Sequence, residues 1–376
     1  MIPYRQLLPT VLHRMRNSDC GPIGINLTRE KIHLIQLQKT KNTLRILANV
    51  AMPYPAGRAE LLASPAEFSI CIKKALKAGA FKGRNIVSCL PNKGTKIINL
   101  NYQMQGGMNE DEAIVGEVMN CMDGNPTEYV IDYLPIRTEN KNAASRTALV
   151  AVAKREAVTS YLELFAKANL TVQALDIGPA ALRRLVVSLN GSEEFHLVML
   201  INFGRDKSYL TVIDGRRLIM DREVDFGENL LIHQLCKQLD ITREQAMQVL
   251  LQYGFSEPSE VVPTATQVSS GEILSSMVEI LHPLFLEFID NVNKTLIYTA
   301  SMLHGKSVQQ IYLLGSLARY PGADRFLTQM LALPVARLNP FSLFIDSDEH
   351  VPPANRDITA GTVLATGLAL RGIIND

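Results

Sequence analysis

The feature that most limits how this chain can fold is a pattern that occurs twice. From residue 22, "PIGINLTREKIHLIQLQK" places apolar residues at Ile23, Ile25 and Leu27, breaks at a polar turn, and resumes through Ile32, Leu34, Ile35 and Leu37. Strand side chains point to opposite faces in turn, so this spacing predicts two strands joined as a hairpin. From about residue 197 the pattern returns as "HLVMLIN", "SYLTVI" and "RRLIMDREV". The last two are joined by Asp214-Gly215, a dipeptide suited to the positive φ angles of a tight hairpin. Helices follow both times. A repeat of this period duplicates a whole α/β half rather than a solenoid unit, and two such halves facing each other enclose a cleft.

The connecting segments fill in the first half. "SPAEFSICIKKALKAG" predicts a helix with Ser64 as cap, Pro65 in the first position, Glu67 completing a capping box and Gly79 ending it. "NIVSCL" (85–90) reads as a short buried strand. A different unit then begins. "KIINLNYQM" predicts a strand with Ile98, Leu100, Tyr102 and Met104 on one face, and "NEDEAIVGEVMNCM" a helix capped by Asn109 and Glu112. "EYVIDYLPI" is a returning strand, and the polar "TENKNAASR" a loop that closes a small β-α-β insertion over about 94–147. "ALVAVA", a helix from 155 to 168 and "TVQALD" resume the α/β alternation.

In the second half, helices are expected at 228–239 and 243–253, the latter with a Thr242/Gln245 capping box. A Pro/Ser/Thr-rich loop spans 255–270. A long helix from Glu272 to Leu303 is expected to bend near Pro283, which lacks a backbone N–H. "QQIYLL" is a strand ending at Gly315, and "DITAGTVLATGLALRG" a small-residue helix that packs closely. The expected organisation is an N-terminal segment 1–20, a first half 21–194, a second half 195–350 and a C-terminal helix 351–376 returning to the first half.

Composition narrows the function classes. The 376 residues carry a formal charge of +1 with Lys and Arg dispersed, which excludes the basic stripe of a nucleic-acid binder. Cys20, Cys71, Cys89, Cys121 and Cys236 form no CxxC pair, and an odd, scattered set fits a reducing compartment. No apolar run approaches the ~20 residues of a membrane-spanning helix, so a cytoplasmic location is expected. "MIPYRQLLPTVLHRMRNSD" has no signal-peptide core. Leu7, Leu8, Val11, Leu12 and Met15 lie near one helical face, which fits a helix touching a membrane surface or a segment packed on its own domain; the second is preferred. The seven histidines show no HxxH or HExxH spacing, and no GxSxG elbow occurs, so neither a metal site nor a catalytic nucleophile is assigned.

Three places face the cleft: the turn at 26–31, the turn at 202–207, and "LLGSLARYPG" (313–322). With these the chain resembles the PilM family, actin-like, FtsA-related proteins of type IV pilus assembly. "GINLTREKIHLIQL" stands where the family has a phosphate hairpin of the form GIDIGSSSVKVVEL. "LPNKGTKIINL" and "GGMNEDEA" resemble the start of its small inserted subdomain, and "ALDIGPAALRR" the passage into its second half. "LINFGRDKSYLTVIDGRRLIMDREVDFGENL" is similar to the second phosphate hairpin and following helix start. "IYLLGSLARYPGADRFL" with "LPVARLNPF" resembles the adenosine-side motif, and "TGLALRG" the final helix. The resemblance implies an α/β, actin-like ATPase (ASKHA) fold of two RNase H-like halves with a small inserted subdomain. It also implies a cytoplasmic scaffold, held at the inner membrane through its partners, that binds the N-terminal peptide of a PilN-like inner-membrane protein in a groove between the first subdomain and the insertion. A pilus motor ATPase, a platform protein and further copies of the chain are the other partners it suggests.

The nucleotide cleft implied by the family maps onto Asn26, Thr28, Asn202, Gly204, Asp206, Gly315 and Ser316. Several depart from the pattern. Asn26 and Asn202 replace aspartates, Thr28 replaces a turn Gly or Ser, His33 a Lys, and Gly315-Ser316-Leu317 a triple glycine. An aspartate at either hairpin base can hold Mg²⁺ or orient water, whereas asparagine keeps the shape without the charge. Leu317 is expected to put bulk where adenine or ribose would lie. The expectation is a non-catalytic protein with a degenerate cleft and no cofactor. The alternative is an active or nucleotide-regulated protein of a related pilus or type II secretion system that holds ATP or ADP with Mg²⁺. Plainer roles are also open: Asn26 and Asn202 tying adjacent strand ends, Gly204 and Gly315 serving tight turns, His33 packing, and Asp206 with Lys207 forming a solvated charge pair. In helix 110–122, Ile114, Val118, Cys121 and Met122 fit a core or a partner surface.

Overall fold

The computed structural model describes residues 20–373 except 41–42, 91–94, 105–107, 123–124, 137–144, 191–196, 257–267 and 345–359. The expected N-terminal segment up to residue 19, the closing loop of the insertion over 138–144 and most of the 255–270 loop lie outside the described residues.

In chain order the first half runs β1 (Cys20–Leu27), β2 (Lys31–Thr40), β3 (Thr43–Pro53), α1 (Arg58–Ala63), α2 (Pro65–Ala78) and β4 (Asn85–Cys89). The inserted unit supplies β5 (Thr95–Gln103), α3 (Glu110–Asn120), β6 (Tyr129–Ile136) and β7 (Ser145–Lys154). The first half then closes with α4 (Arg155–Lys167), β8 (Thr171–Asp176) and α5 (Gly178–Asn190). The second half has β9 (Leu197–Phe203), β10 (Ser208–Asp214), β11 (Arg217–Val224), α6 (Glu228–Leu239), α7 (Arg243–Gln252), α8 (Val268–Met302), β12 (Gln310–Gly315), α9 (Ala323–Leu331), β13 (Val335–Arg337) and α10 (Ala360–Ala369).

The two halves share one topology. The first sheet is ordered β3-β2-β1-β4-β8 and the second β11-β10-β9-β12-β13. In each, the first three strands form an antiparallel meander and the last two join in parallel. The alternation at 22–39 predicts only two strands; β3 adds the third, so the match between halves is closer than the sequence pattern suggests.

Local signals explain where the helices start. Ser64 accepts the Glu67 N–H at 3.4 Å with Pro65 in the first turn, and α2 then buries Phe68, Cys71, Ile72 and Ala75 on one face. The capping boxes of α3 (Asn109, Glu112) and α7 (Thr242, Gln245) are both formed. Helix α8 runs through Pro283 as one element. A proline inside a helix costs about 3 kcal/mol, and the burial of Met277, Leu281, Phe285, Phe288, Ile289 and Val292 in the second-half core offsets it.

The layers follow from these faces. α2 and α4 cover the outer side of the first sheet through Phe68, Ile72, Leu164 and Phe165. The second sheet carries α6, α7, α8 and α9 on its outer side. Between the sheets a shared core joins Ile35 and Leu37 of β2, Leu182 and Leu185 of α5, Leu200 and Ile213 of the second sheet, and Val363 and Ala369 of α10. Helix α10 packs against β1 and β2 of the first sheet. Its backbone lies so close to β1 that a Cβ at Gly24 would stand 2.2 Å from the Ala365 carbonyl oxygen.

The inserted unit is larger than the expected β-α-β. "ALVAVA" lies in β7, the middle strand of a separate three-stranded sheet ordered β5-β7-β6, so the unit's pairing continues past residue 147. The reason lies in its two buried faces. Ala148, Val150 and Val152 pack under α3, while Leu149 reaches the shared core. A continuous apolar run marks a strand covered on both sides and does not say to which sheet it belongs.

Candidate functional site

The first turn is covered by side chains, its own Thr28 and two from beyond β3. The Thr28 hydroxyl donates to the Lys31 carbonyl at 2.8 Å and accepts the Lys31 N–H at 3.1 Å. The Tyr54 hydroxyl lies 2.9 and 2.7 Å from the Thr28 and Lys31 carbonyls, and Arg58 donates to the Leu27 carbonyl at 3.2 Å. Asn26, near the end of β1, is buried, and its Nδ2 donates to the Gly361 carbonyl of α10 at 3.2 Å. Its Oδ1 also accepts from the Cys89 thiol of β4 at 4.0 Å, so Asn26 ties the end of β1 both to α10 and to the neighbouring strand. His33 pairs with Asn26 across the hairpin and packs beneath Gly361. Burial, then the Lys31 charge, lowers its pKa to about 4, so it is a neutral packing residue near neutral pH.

The second turn is held from outside. A Cβ at Gly204 would lie 2.1 Å from the Lys207 carbonyl oxygen, so the turn has no room for a side chain there. The carbonyls of Gly204 and Arg205 accept the N–H groups of Glu228 and Asn229, at 3.0 and 2.8 Å. The start of α6 is thereby spent on the turn. Asp206 and Lys207 do not pair with each other as expected. Asp206 accepts from the Asn229 side chain, while Lys207 pairs with Glu223 and, at 3.1 Å, with Asp225. Asn202 is half-buried in β9, opposite Tyr209 and beside Leu314.

The third place is the end of β12. Gly315 has φ +97°, and a Cβ there would come within 2.1 Å of the Phe203 carbonyl oxygen. Only glycine takes that conformation at that distance without strain. Ser316 donates its N–H to the same carbonyl at 2.8 Å. Leu317 is 1% exposed and belongs to the second-half core, so it does not fill the cleft as expected. The one-turn helix 317–319 points this apolar side chain inward and turns Arg319 toward Glu228.

The structure brings these places together through residues that the sequence reading did not name. Arg205 of the second turn pairs with Glu30 of the first at 3.2 Å, a contact across the cleft. On its other side the Arg205 guanidinium lies 3.9 Å from Glu228. Glu228 is 3% exposed and accepts from Arg319 at 2.8 Å and from the Tyr320 hydroxyl at 2.5 Å. Burial, then the Glu228 charge, raises the Tyr320 pKa, which keeps the phenol a donor. The available signal was the glycine-acid pair Gly227-Glu228 opening a helix after a hairpin. Nothing in the sequence aims Arg205 at Glu30.

Carboxylates near the strand ends are similarly engaged. Asp176, at the end of β8, pairs with buried Arg184 at 2.8 Å and with Arg371 at 3.1 Å, and Arg184 also donates to the Gly367 carbonyl at 2.9 Å. This network clamps α5 and α10 to the first sheet. Burial, then Asp176, pushes the neighbouring Cys89 thiol up to about 12, which leaves it unreactive. Among the described residues no group of three or more His, Cys, Asp or Glu is placed to hold a metal ion. Of the turn residues, Asn26 and Asn202 are neutral, Asp206 is bonded to Asn229, and Glu30 faces Arg205. Among the described residues no helix is long and apolar enough to cross a membrane.

Comparison with known proteins agrees with this architecture. A solved PilM-PilN type IV pilus biogenesis complex superposes with a TM-score of 0.72 at 19% identity, covering 95% of this chain and 100% of that one. The ethanolamine utilization protein EutJ from Carboxydothermus hydrogenoformans follows at a TM-score of 0.51 and 12% identity, covering 95% and 91%. The fold is the actin-like one of two RNase H-like halves. The sequence model for the type IV pilus assembly protein PilM matches residues 24–373. A match of that extent carries membership: this chain belongs to the PilM family of type IV pilus assembly proteins.

Proposed function

We propose that this chain is a non-catalytic adaptor at the cytoplasmic face of the inner membrane, which grips the N-terminal peptide of a PilN-like membrane protein and links it to the pilus motor and platform. The observation that carries the reading is the family match over residues 24–373. The likeness in fold to a protein solved as a PilM-PilN complex supports the choice of partner. Its nucleotide cleft is read as retained architecture. Supporting this, the two strand-end positions that would bear metal-binding carboxylates are Asn26 and Asn202, and the guanidinium of Arg205 stands between the turns. Without an anionic ligand, a magnesium ion and the charge that develops on a transferred phosphoryl group lose most of their electrostatic handling.

The test pairs two measurements on the full chain. Tagged protein is used to recover partners from membranes, and the N-terminal peptide of the recovered PilN-like protein is titrated against it. Recovery of that protein with saturable peptide binding is expected. No pilus inner-membrane protein in the eluate, with no peptide binding at high micromolar concentration, removes the adaptor reading. In parallel, millimolar Mg·ATP is expected to leave the melting temperature unchanged and release no phosphate. A shift without turnover favours a nucleotide-regulated protein, and steady phosphate release favours a working ATPase.

A further inference from the structure

The inserted unit carries an opening that the proposed function does not use. A cavity of about 370 Å³ lies between the outer edge of β5, at Asn101 and Gln103, and the flank of α3, at Glu112, Gly116 and Glu117. Every residue lining it belongs to the inserted unit, so it is not a groove between that unit and the first half. Strand β5 is an edge strand: it pairs only with β7, and no described strand covers its other side. Asn99 ties the middle of β5 to the Asp221 carbonyl of β11 at 3.0 Å, which leaves the stretch Asn101–Gln103 as the open part. An uncovered edge presents unpaired backbone groups that invite another strand.

Gly116 gives this opening its shape. A glycine inside a helix is costly relative to alanine, and turns or close contacts normally account for one. Here a Cβ would meet nothing within 4 Å, so no contact within the fold requires the missing side chain. The bare patch of helix lies opposite the bare strand edge, with Met108 exposed at the mouth. Glu112 and Glu117 face the same opening and have no cationic partner among the described residues; Glu112 only caps its helix and Glu117 accepts from Asn120. Tyr102, its hydroxyl bonded to Glu110 at 2.6 Å, forms a fixed floor.

We propose that this opening takes an extended, basic segment of a partner protein, which adds as a fourth strand to the β5 edge beneath Gly116 and sets Lys or Arg side chains against Glu112 and Glu117. Main-chain pairing supplies the attachment, and the two carboxylates select a cationic segment.

The probe is a fluorescein-labelled seven-residue peptide of alternating lysine and valine, titrated against the full chain by polarisation. The control is the same peptide with its backbone nitrogens methylated. Saturable binding is expected, with slowed amide exchange over residues 101–103 and at least tenfold weaker binding of the methylated form. Gly116→Leu, which has open space for its side chain and improves the helix, should weaken binding at least tenfold, and Glu117→Lys several-fold. Should Gly116→Leu fail to fold, Glu117→Lys and the exchange data decide. Equal binding of the methylated peptide, unchanged exchange at 101–103, or variants that bind as well as the parent would each overturn the proposal. Because the probe is not a PilN-type peptide, either result leaves the adaptor test above intact.

Discussion

In the first half the β1–β2 turn is covered by side chains: Thr28 spans it, and Tyr54 and Arg58, from beyond β3, bond its carbonyls. In the equivalent β9–β10 turn of the second half the partners are backbone groups, the Gly204 and Arg205 carbonyls resting on the first N–H groups of α6. Strand order is the same in both, yet the turns are not interchangeable. The two asparagines differ likewise: Asn26 is buried and bonded to α10, whereas Asn202 is half-buried in a central strand. A duplicated fold therefore fixes where a turn lies and leaves open what the turn is bonded to. The Arg205–Glu30 pair depends on that freedom, since each half contributes one charge.

The largest effects should come from breaking the Asp176–Arg184 clamp of the first half, in which both charges are buried. Arg184→Met strands Asp176 in a buried setting with Arg371 as its remaining cation. Removing one partner of a buried pair costs about 3–5 kcal/mol, so a large fall in the urea midpoint is expected. An unchanged midpoint would show that Arg371 alone compensates. The second half should be most sensitive at Gly315. Gly315→Ala puts a side chain at φ +97° against the Phe203 carbonyl and should cost about 3 kcal/mol. Gly83, also at positive φ but with nothing within 4 Å of a Cβ, should tolerate alanine better, with strain alone of about 1 kcal/mol.

Acid should separate the halves in opposite directions. His33 titrates near 4 in the fold against 6.5 ordinarily, so its contribution is complete above 6.5 and lost as pH falls toward 4. Asp221 in β11 is pushed up to about 6 by burial, against the opposing Thr211 hydrogen bond. Its unfavourable ionisation is therefore relieved as pH falls from 6 toward 3.8. Each is worth on the order of 3 kcal/mol over its full window. His33→Gln should flatten the acid loss of stability. Asp221→Asn should raise the melting temperature at pH 7 and leave it unchanged near pH 4. A parent-like pH profile in both variants would refute the assignment.

The smallest effect should be at the cross-cleft pair. Glu30 is largely exposed, and such pairs contribute up to about 1 kcal/mol. Glu30→Gln should shift the midpoint slightly at low salt and not at 0.5 M salt (roughly, where screening is strong). A salt-independent loss would mean that the pair is shielded within the cleft.

How much of this was legible can be judged from particular elements. The helix starts at Ser64, Asn109 and Thr242 were readable because a cap is a contact over three residues. Strand β7 was readable as a strand, but its membership of the inserted sheet was not, since a run buried on both faces looks alike in any sheet. Leu317 stands where the resembling family has the last of three glycines, which points to bulk in the cleft, but the short helix rotates it into the core. Arg205, Glu228 and Asp176 find partners 175, 91 and 8 residues away, at Glu30, Arg319 and Arg184.

Alone, the sequence determined the duplicated halves, their helix caps and the loss of charge at Asn26 and Asn202, because periodicity, capping and residue identity are local properties of the chain. Tertiary structure decided what each turn is bonded to, which sheet received β7, and that a guanidinium from one half meets a carboxylate from the other. Those outcomes depend on distances between residues far apart in the chain, which are set only when the two sheets close around α5 and α10.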